Sequence, residues 1–171
     1  MLATSSSWSN GFKTLTFTIR NGAKWTDGKP FGAPDVVYTF NAMKSDKAID
    51  LNALWSADGG PLTSVAAKGA NQVVFTFKAA SEPIFYFVAD QTPIVPQHLW
   101  SSLDQSKLHS YADSHPVGTG PFTVSSCSRR MGSATWTRTR AARRRTAATA
   151  AIRIPGSRTT LGCRSARSRR P

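Results

Sequence analysis

The 171-residue sequence predicts an α+β chain that ends in a disordered basic tail. Three observations carry this: strictly alternating strands near the start and in the middle, a helix with an apolar stripe between them, and an abrupt change of composition after Ser126. Strands, helix, strands, helix and strand follow one another with no internal repeat, which is an α+β order.

The first strand is Phe12 to Arg20, FKTLTFTIR. Leu15, Phe17 and Ile19 share one face and Thr14, Thr16, Thr18 and Arg20 the other, the pattern of a strand with one buried side. Asn21-Gly22 and Asp27-Gly28 supply the positive φ angles of two-residue reversals, so two consecutive hairpins are expected, with Lys24-Trp25-Thr26 and Lys29-Pro30-Phe31 as the short arms of a meander. Pro34 and Asp35 then open a helix, the proline because its fixed φ suits the first turn and the aspartate because its charge opposes the helix dipole. Val36, Val37, Phe40 and Met43 recur at helical spacing and form a stripe able to cover the meander. Its cap is weak, because Gly32 or Ala33 stands where serine or threonine is favoured.

Ile49 to Trp55 reads as a second short helix, stopped by Asp58-Gly59-Gly60-Pro61. Leu62 to Ala67 and Gln72 to Lys78 read as a strand pair joined by Lys68-Gly69-Ala70-Asn71, with Val73, Phe75 and Phe77 facing inward. Glu82 to Ala89 is apolar and is assigned to helix because Pro83 can occupy a first turn. Ile94 to Pro96 is extended, Gln97 to Leu103 helical and Asp104 to Pro116 a polar loop. Val117-Gly118-Thr119-Gly120-Pro121 then leads into a last strand, Phe122 to Ser125.

The net charge of +13 on its own suggests a nucleic-acid or acidic-membrane partner, but it resides entirely after Ser126. The first 126 residues hold all nine acids against eight lysines and Arg20; the last 45 hold 13 arginines, no lysine and no acid. That tail has one aromatic, Trp136, and too little apolar surface to offset its ordering entropy. A functional arm would neutralise phosphates through runs such as Arg143-Arg144-Arg145. The switch from lysine to arginine at one point is better explained by GC-rich codons read out of frame, which places a frameshift near residues 125 to 128.

Both cysteines, Cys127 and Cys163, lie in the tail, so the first part carries neither a disulfide framework nor a thiolate metal site. The longest apolar run, Pro83 to Ala89, is far short of the roughly 20 residues that span a bilayer. MLATSSSWSN lacks the basic and apolar regions of an export signal, so the chain as written is expected to stay in the cytoplasm.

His98, His109 and His115 show no zinc spacing, and no Gly-x-Ser-x-Gly elbow is present, so neither metal-assisted nor serine hydrolysis has local support and no cofactor is expected. Gly118-Thr119-Gly120 lacks the third glycine of a dinucleotide loop and precedes a strand, which makes it a backbone bend before Pro121. Trp25, Phe31, Tyr38, Phe40 and Trp55 could form an aromatic ligand surface, although such spacings are more often core. Asp90-Gln91-Thr92 ends the most apolar segment of the chain with polar groups, which either simply cap that segment or contact a ligand, and Asp90 and Gln91 are the candidate ligand contacts.

Trp25-Thr26-Asp27-Gly28-Lys29-Pro30-Phe31 followed by Asp35-Val36-Val37-Tyr38-Thr39-Phe40 resembles the signature of the family 5 extracellular solute-binding proteins, the peptide- and nickel-binding components of ABC importers. TFTIRNGAKW (16 to 25), QVVFTFK (72 to 78), IVPQHLW (94 to 100) and PVGTGPF (116 to 122) continue the resemblance in order, over about residues 2 to 125. It implies a two-lobed, type II periplasmic-binding-protein-like α/β fold whose hinged cleft closes over a peptide or similar solute and delivers it to membrane permease subunits. Family members are several times longer, so the chain is expected to be a fragment: residues 1 to 93 an accessory domain, 94 to 126 the start of the return into the main lobe, 127 to 171 the tail. The resemblance further implies a monomer without enzymatic activity, at the cell surface or in the periplasm. The reading from another class is a nucleic-acid-binding protein that uses the arginine arm.

Overall fold

The computed structural model describes residues 2–47, 49–50, 53–56, 60–104, 108, 115–128 and 133–139. The chain divides into two compact units, one of Met1–Lys24 with Pro30–His109 and one of Trp25–Lys29 with Ser110–Pro171.

The first unit is built on a four-stranded antiparallel sheet in the order β1-β2-β4-β3. Its strands are β1 (Ala3–Ser9), β2 (Thr14–Ile19), β3 (Leu62–Lys68) and β4 (Gln72–Phe77). The alternation in β2 and β4 works as expected. Leu15 stands opposite Phe75 and Phe17 opposite Val73, so these four share one face, and Leu15, Val73 and Phe75 are at most 1% exposed. The other face is hydroxyl-rich: Ser7 opposes Thr16, Thr14 opposes Thr76, and Thr76 opposes Ser64.

Helix α1 (Ala33–Ser45) buries Val36, Phe40 and Met43 of the expected stripe while Val37 is half-buried, and it packs on β3 and β4 where the meander was expected. The ring of Phe40, fully buried, lies 4.8 Å from that of Phe75 and 5.1 Å from that of Trp55, edge-on to both. Gly32 caps the helix without a side chain, and the Asp35 carboxylate compensates by accepting the Gly32 N–H at 2.9 Å.

Four expectations need correction. β1 is a full strand that the sequence pattern does not reveal: its serines carry no alternation signal, and register with β2 holds it in place. β2 therefore has β1 and β4 on its two edges and forms no hairpin with residues 24–26. Of the expected meander, the reversal at Gly28 (φ 90°) is the one that closes, through the Lys24–Pro30 bridge and the Phe31 N–H to Ala23 carbonyl bond. The predicted helix over Ile49 to Trp55 is absent from its described residues, 49–50 and 53–56, which turn and bend instead. Here Asp50 Oδ2 takes the Trp55 and Ser56 amides at 2.6 and 2.9 Å, a side-chain alternative to helical bonding, and Ala53 adopts a positive φ of 49°. Last, the helix expected over Gln97 to Leu103 is a single turn, α3 (Gln97–Trp100). Of the expected polar loop, Asp104 to Pro116, residues 105–107 and 109–114 lie outside the described residues.

The apolar segment after β4 is helical, as assigned. It begins as one α turn, α2 (Ile84–Tyr86), and widens into a π turn over Phe87–Gln91. Ile84 and Val88 are buried beneath it.

The second unit holds an antiparallel hairpin of β5 (Phe122–Ser128) and β6 (Ser133–Arg138). Order thus extends beyond the expected limit at Ser126. Trp136, the tail's only aromatic, stands opposite Val124, and the hydroxyls of Thr123 and Thr137 meet at 3.1 Å. The remainder of the predicted disordered tail, from residue 140 on, lies outside the described residues. In the same unit Thr26 and Gly118 bond reciprocally: the Thr26 N–H donates to the Gly118 carbonyl at 2.8 Å, and the Gly118 N–H to Thr26 Oγ1 at 3.2 Å.

Candidate functional site

The π turn is where the polar end of the apolar segment is displayed. Asp90 and Gln91 are both exposed, and Gln91 Nε2 donates to Asp90 Oδ2 at 3.1 Å and to the Tyr86 hydroxyl oxygen at 2.9 Å. Around them Phe85, Tyr86 and Phe87 are 36%, 56% and 36% exposed, an unusual run of three large rings at a surface. Phe85 is anchored by stacking on Phe17, with ring centroids 5.7 Å apart, and Phe87 lies edge-on to Tyr86. Thr92 closes the turn from inside, its hydroxyl donating to the Phe87 carbonyl at 2.7 Å.

The sequence brings Asp90 and Gln91 to notice but misses Tyr86. In a regular α-helix Tyr86 lies above residue 90; the π turn adds one residue, so the side chain that reaches its hydroxyl is Gln91, five positions on. Together the three present a carboxylate, an amide and a phenol beside exposed aromatic surface.

Of the five aromatic candidates, Tyr38 is half-buried and four are enclosed. Trp25, Phe31, Phe40 and Trp55 are between 0 and 6% exposed and belong to the core. Among the described residues no group of three or more His, Cys, Asp or Glu is arranged to hold a metal ion, and His109 lies outside them. No helix among the described residues is long and apolar enough to cross a membrane.

Several sequence motifs turn out to be joints. Asp35 of DVVYTF takes the Gln97 N–H of IVPQHLW at 3.0 Å, and Thr39 of the first takes the Val95 N–H of the second at 3.1 Å. The Ala70 carbonyl accepts the Ala33 N–H at 3.1 Å, and the Asn71 carbonyl the Ile19 N–H at 2.6 Å. Thr26 of WTDG and Gly118 of VGTG form the reciprocal pair already described.

Comparison with known proteins matches these features. The family model described as bacterial extracellular solute-binding proteins, family 5 (middle region), matches residues 1–138. "Probable peptide-binding protein YejA" of Agrobacterium fabrum is 30% identical over 132 residues, covering 75% of this chain and 21% of that protein. Among solved structures, the Thermotoga maritima periplasmic oligopeptide-binding protein with bound mannohexaose superposes with a TM-score of 0.71 at 26% identity, over 82% of this chain and 25% of its own. The Bacillus subtilis oligopeptide-binding protein AppA, in complex with a nonapeptide, gives 0.71 at 25% identity, over 81% and 27%. The chain thus spans about a fifth of the curated relatives it matches and about a quarter of the solved structures. With the matched region covering both the β2–β4 sheet and the jointed motifs, the chain belongs to the bacterial extracellular solute-binding proteins, family 5.

Proposed function

We propose that this chain supplies the accessory domain of a two-lobed receptor that captures peptides or similar small solutes outside the cytoplasmic membrane and delivers them to ABC permease subunits. The observation that carries the reading is the family match over residues 1–138 together with a superposition confined to a quarter of each oligopeptide-binding structure. The receptor acts by closing a cleft around its solute, so ligand biases an open–closed equilibrium and no covalent chemistry is required. Asp90 and Gln91, steadied by Tyr86, are the groups of this chain assigned to solute contact. The receptor works as a monomer, and nucleic acid is not a partner.

A cleft between two lobes needs both of them, so the isolated 171-residue chain binds no peptide. Calorimetry with a mixture of di- and oligopeptides is expected to give no heat for this chain. A chimera in which residues 2–125 replace the matching segment of a full-length peptide-binding relative is expected to bind peptide. Micromolar binding by the isolated chain, or a folded chimera that binds nothing, would overturn the reading.

A further inference from the structure

The sequence holds two Asn-Gly pairs, Asn10-Gly11 and Asn21-Gly22, and the fold places them in different surroundings. An asparagine followed by glycine is open to attack by the backbone on its own side chain, because glycine has no Cβ to obstruct the approach of its nitrogen to the asparagine Cγ. Both asparagines are exposed. Asn21 is held: its Oδ1 accepts from Asn71 Nδ2, and the Asn71 carbonyl accepts the Ile19 N–H. The Asn10 carboxamide has no partner among the described residues, and neither has the Gly11 N–H. Asn10, Gly11 and Phe12 take positive φ angles in succession, 52°, 59° and 61°, a strained conformation for the two that carry a side chain. Inside this loop the backbone bond is that of the Lys13 N–H to the Asn10 carbonyl, at 3.2 Å. Strain, exposure and thin bonding put the loop at the low-stability end of the fold, where local opening precedes that of the sheet.

We infer that Asn10-Gly11 is a self-modification site, where the chain deamidates several-fold faster than at Asn21-Gly22. The Gly11 amide gives its proton to solvent base, its nitrogen forms a bond to Asn10 Cγ, the Cγ–Nδ2 bond breaks, and ammonia leaves with a proton taken from water. Water then opens the cyclic imide at one carbonyl or the other and leaves an aspartyl or an isoaspartyl residue. The net change is uptake of one water and release of one ammonia. Either product adds a negative charge to the loop. The isoaspartyl form also adds a methylene to the main chain between Ser9 and Thr14, the pair at which β1 and β2 meet.

Incubation of the 171-residue chain at mildly alkaline pH, followed by trypsin digestion and mass spectrometry, reads the two sites on separate peptides, Met1–Lys13 and Asn21–Lys24. The expected result is acid accumulating in Met1–Lys13 several-fold faster than in Asn21–Lys24, with aspartyl and isoaspartyl products resolved by chromatography. In urea, which releases both loops, the two rates are expected to converge. N71A is expected to raise the rate at Asn21 towards that at Asn10. Equal rates in the folded chain, faster reaction at Asn21, a difference that persists unchanged in urea, or a folded N71A chain whose Asn21 reacts no faster overturns the inference. The comparison within the wild-type chain decides whether or not N71A folds.

Discussion

The carboxylate of Asp35 binds the amide of Gln97, 62 positions later, at 3.0 Å with one oxygen, while its other oxygen holds the Gly32 amide at 2.9 Å. One buried side chain therefore starts α1 and fastens the segment that enters α3. Thr39, one turn further along the same helix, repeats the connection to Val95. This explains why an aspartate stands at the third position of a helix whose own cap is a glycine.

Replacing Asp35 with alanine leaves two part-buried amides without their acceptor. The expected loss is on the order of 2 to 4 kcal/mol in urea unfolding followed by circular dichroism, with Asp35→Asn intermediate. An unchanged midpoint for Asp35→Ala would show that the joint contributes nothing.

Phe40 touches both Phe75 of the sheet and Trp55, so truncating it opens a cavity shared by two contacts. Phe40→Ala is expected to cost about 3 to 5 kcal/mol, and Phe40→Leu much less. Thermal melts of the two variants side by side measure the difference.

The Thr26–Gly118 pair depends on a hydroxyl. Thr26→Val removes the acceptor of the Gly118 amide and is expected to weaken its protection by about 1 kcal/mol, whereas Thr26→Ser retains it. Hydrogen exchange read at the Gly118 amide distinguishes the two substitutions; equal protection in both would rule out a role for the hydroxyl.

At the candidate solute site, Gln91→Ala and Tyr86→Phe alter exposed groups and are expected to change stability by no more than about 0.5 kcal/mol. In the chimera with a full-length relative, Gln91→Ala is expected to weaken peptide binding by about 1 kcal/mol, a several-fold change by calorimetry. Wild-type affinity in that background would remove Gln91 from the list of solute contacts.

The arginine-rich end has its own test. We propose a shift of reading frame as the origin of the lysine-to-arginine switch; β5 and β6 pair over Phe122–Ser128 and Ser133–Arg138 and the family match runs to residue 138, beyond the junction expected at 125–128. Resequencing the gene across and beyond this stretch is expected to reveal an alternative frame with acids and aromatics. No readable continuation in either other frame defeats the proposal.

Much of the first unit is legible in the sequence because period-two alternation in β2 and β4 and helical spacing in α1 are strong local signals. What escapes is decided at a distance or by side chains that compete with the backbone. The serines of β1 become a strand through register with β2, and Asp50 diverts an apolar stretch from helix by taking its amides. At the candidate site the two polar residues are visible from their place at the end of an apolar run. Their aromatic partner is not, since nothing in local composition announces that the turn gains a residue and moves the contact from position 90 to position 91.

The place of β2 in the sheet also sets the order in which the chain can assemble during synthesis. β1 is available at once, but the strand that covers the other edge of β2 comes later, with Leu15 waiting for Phe75, 60 residues downstream. At about 5 to 20 residues per second, a ribosome takes roughly 3 to 12 seconds to deliver that partner. Until then a β1–β2 pair leaves one edge of β2 without its ladder partner, the kind of open edge that invites pairing with another chain.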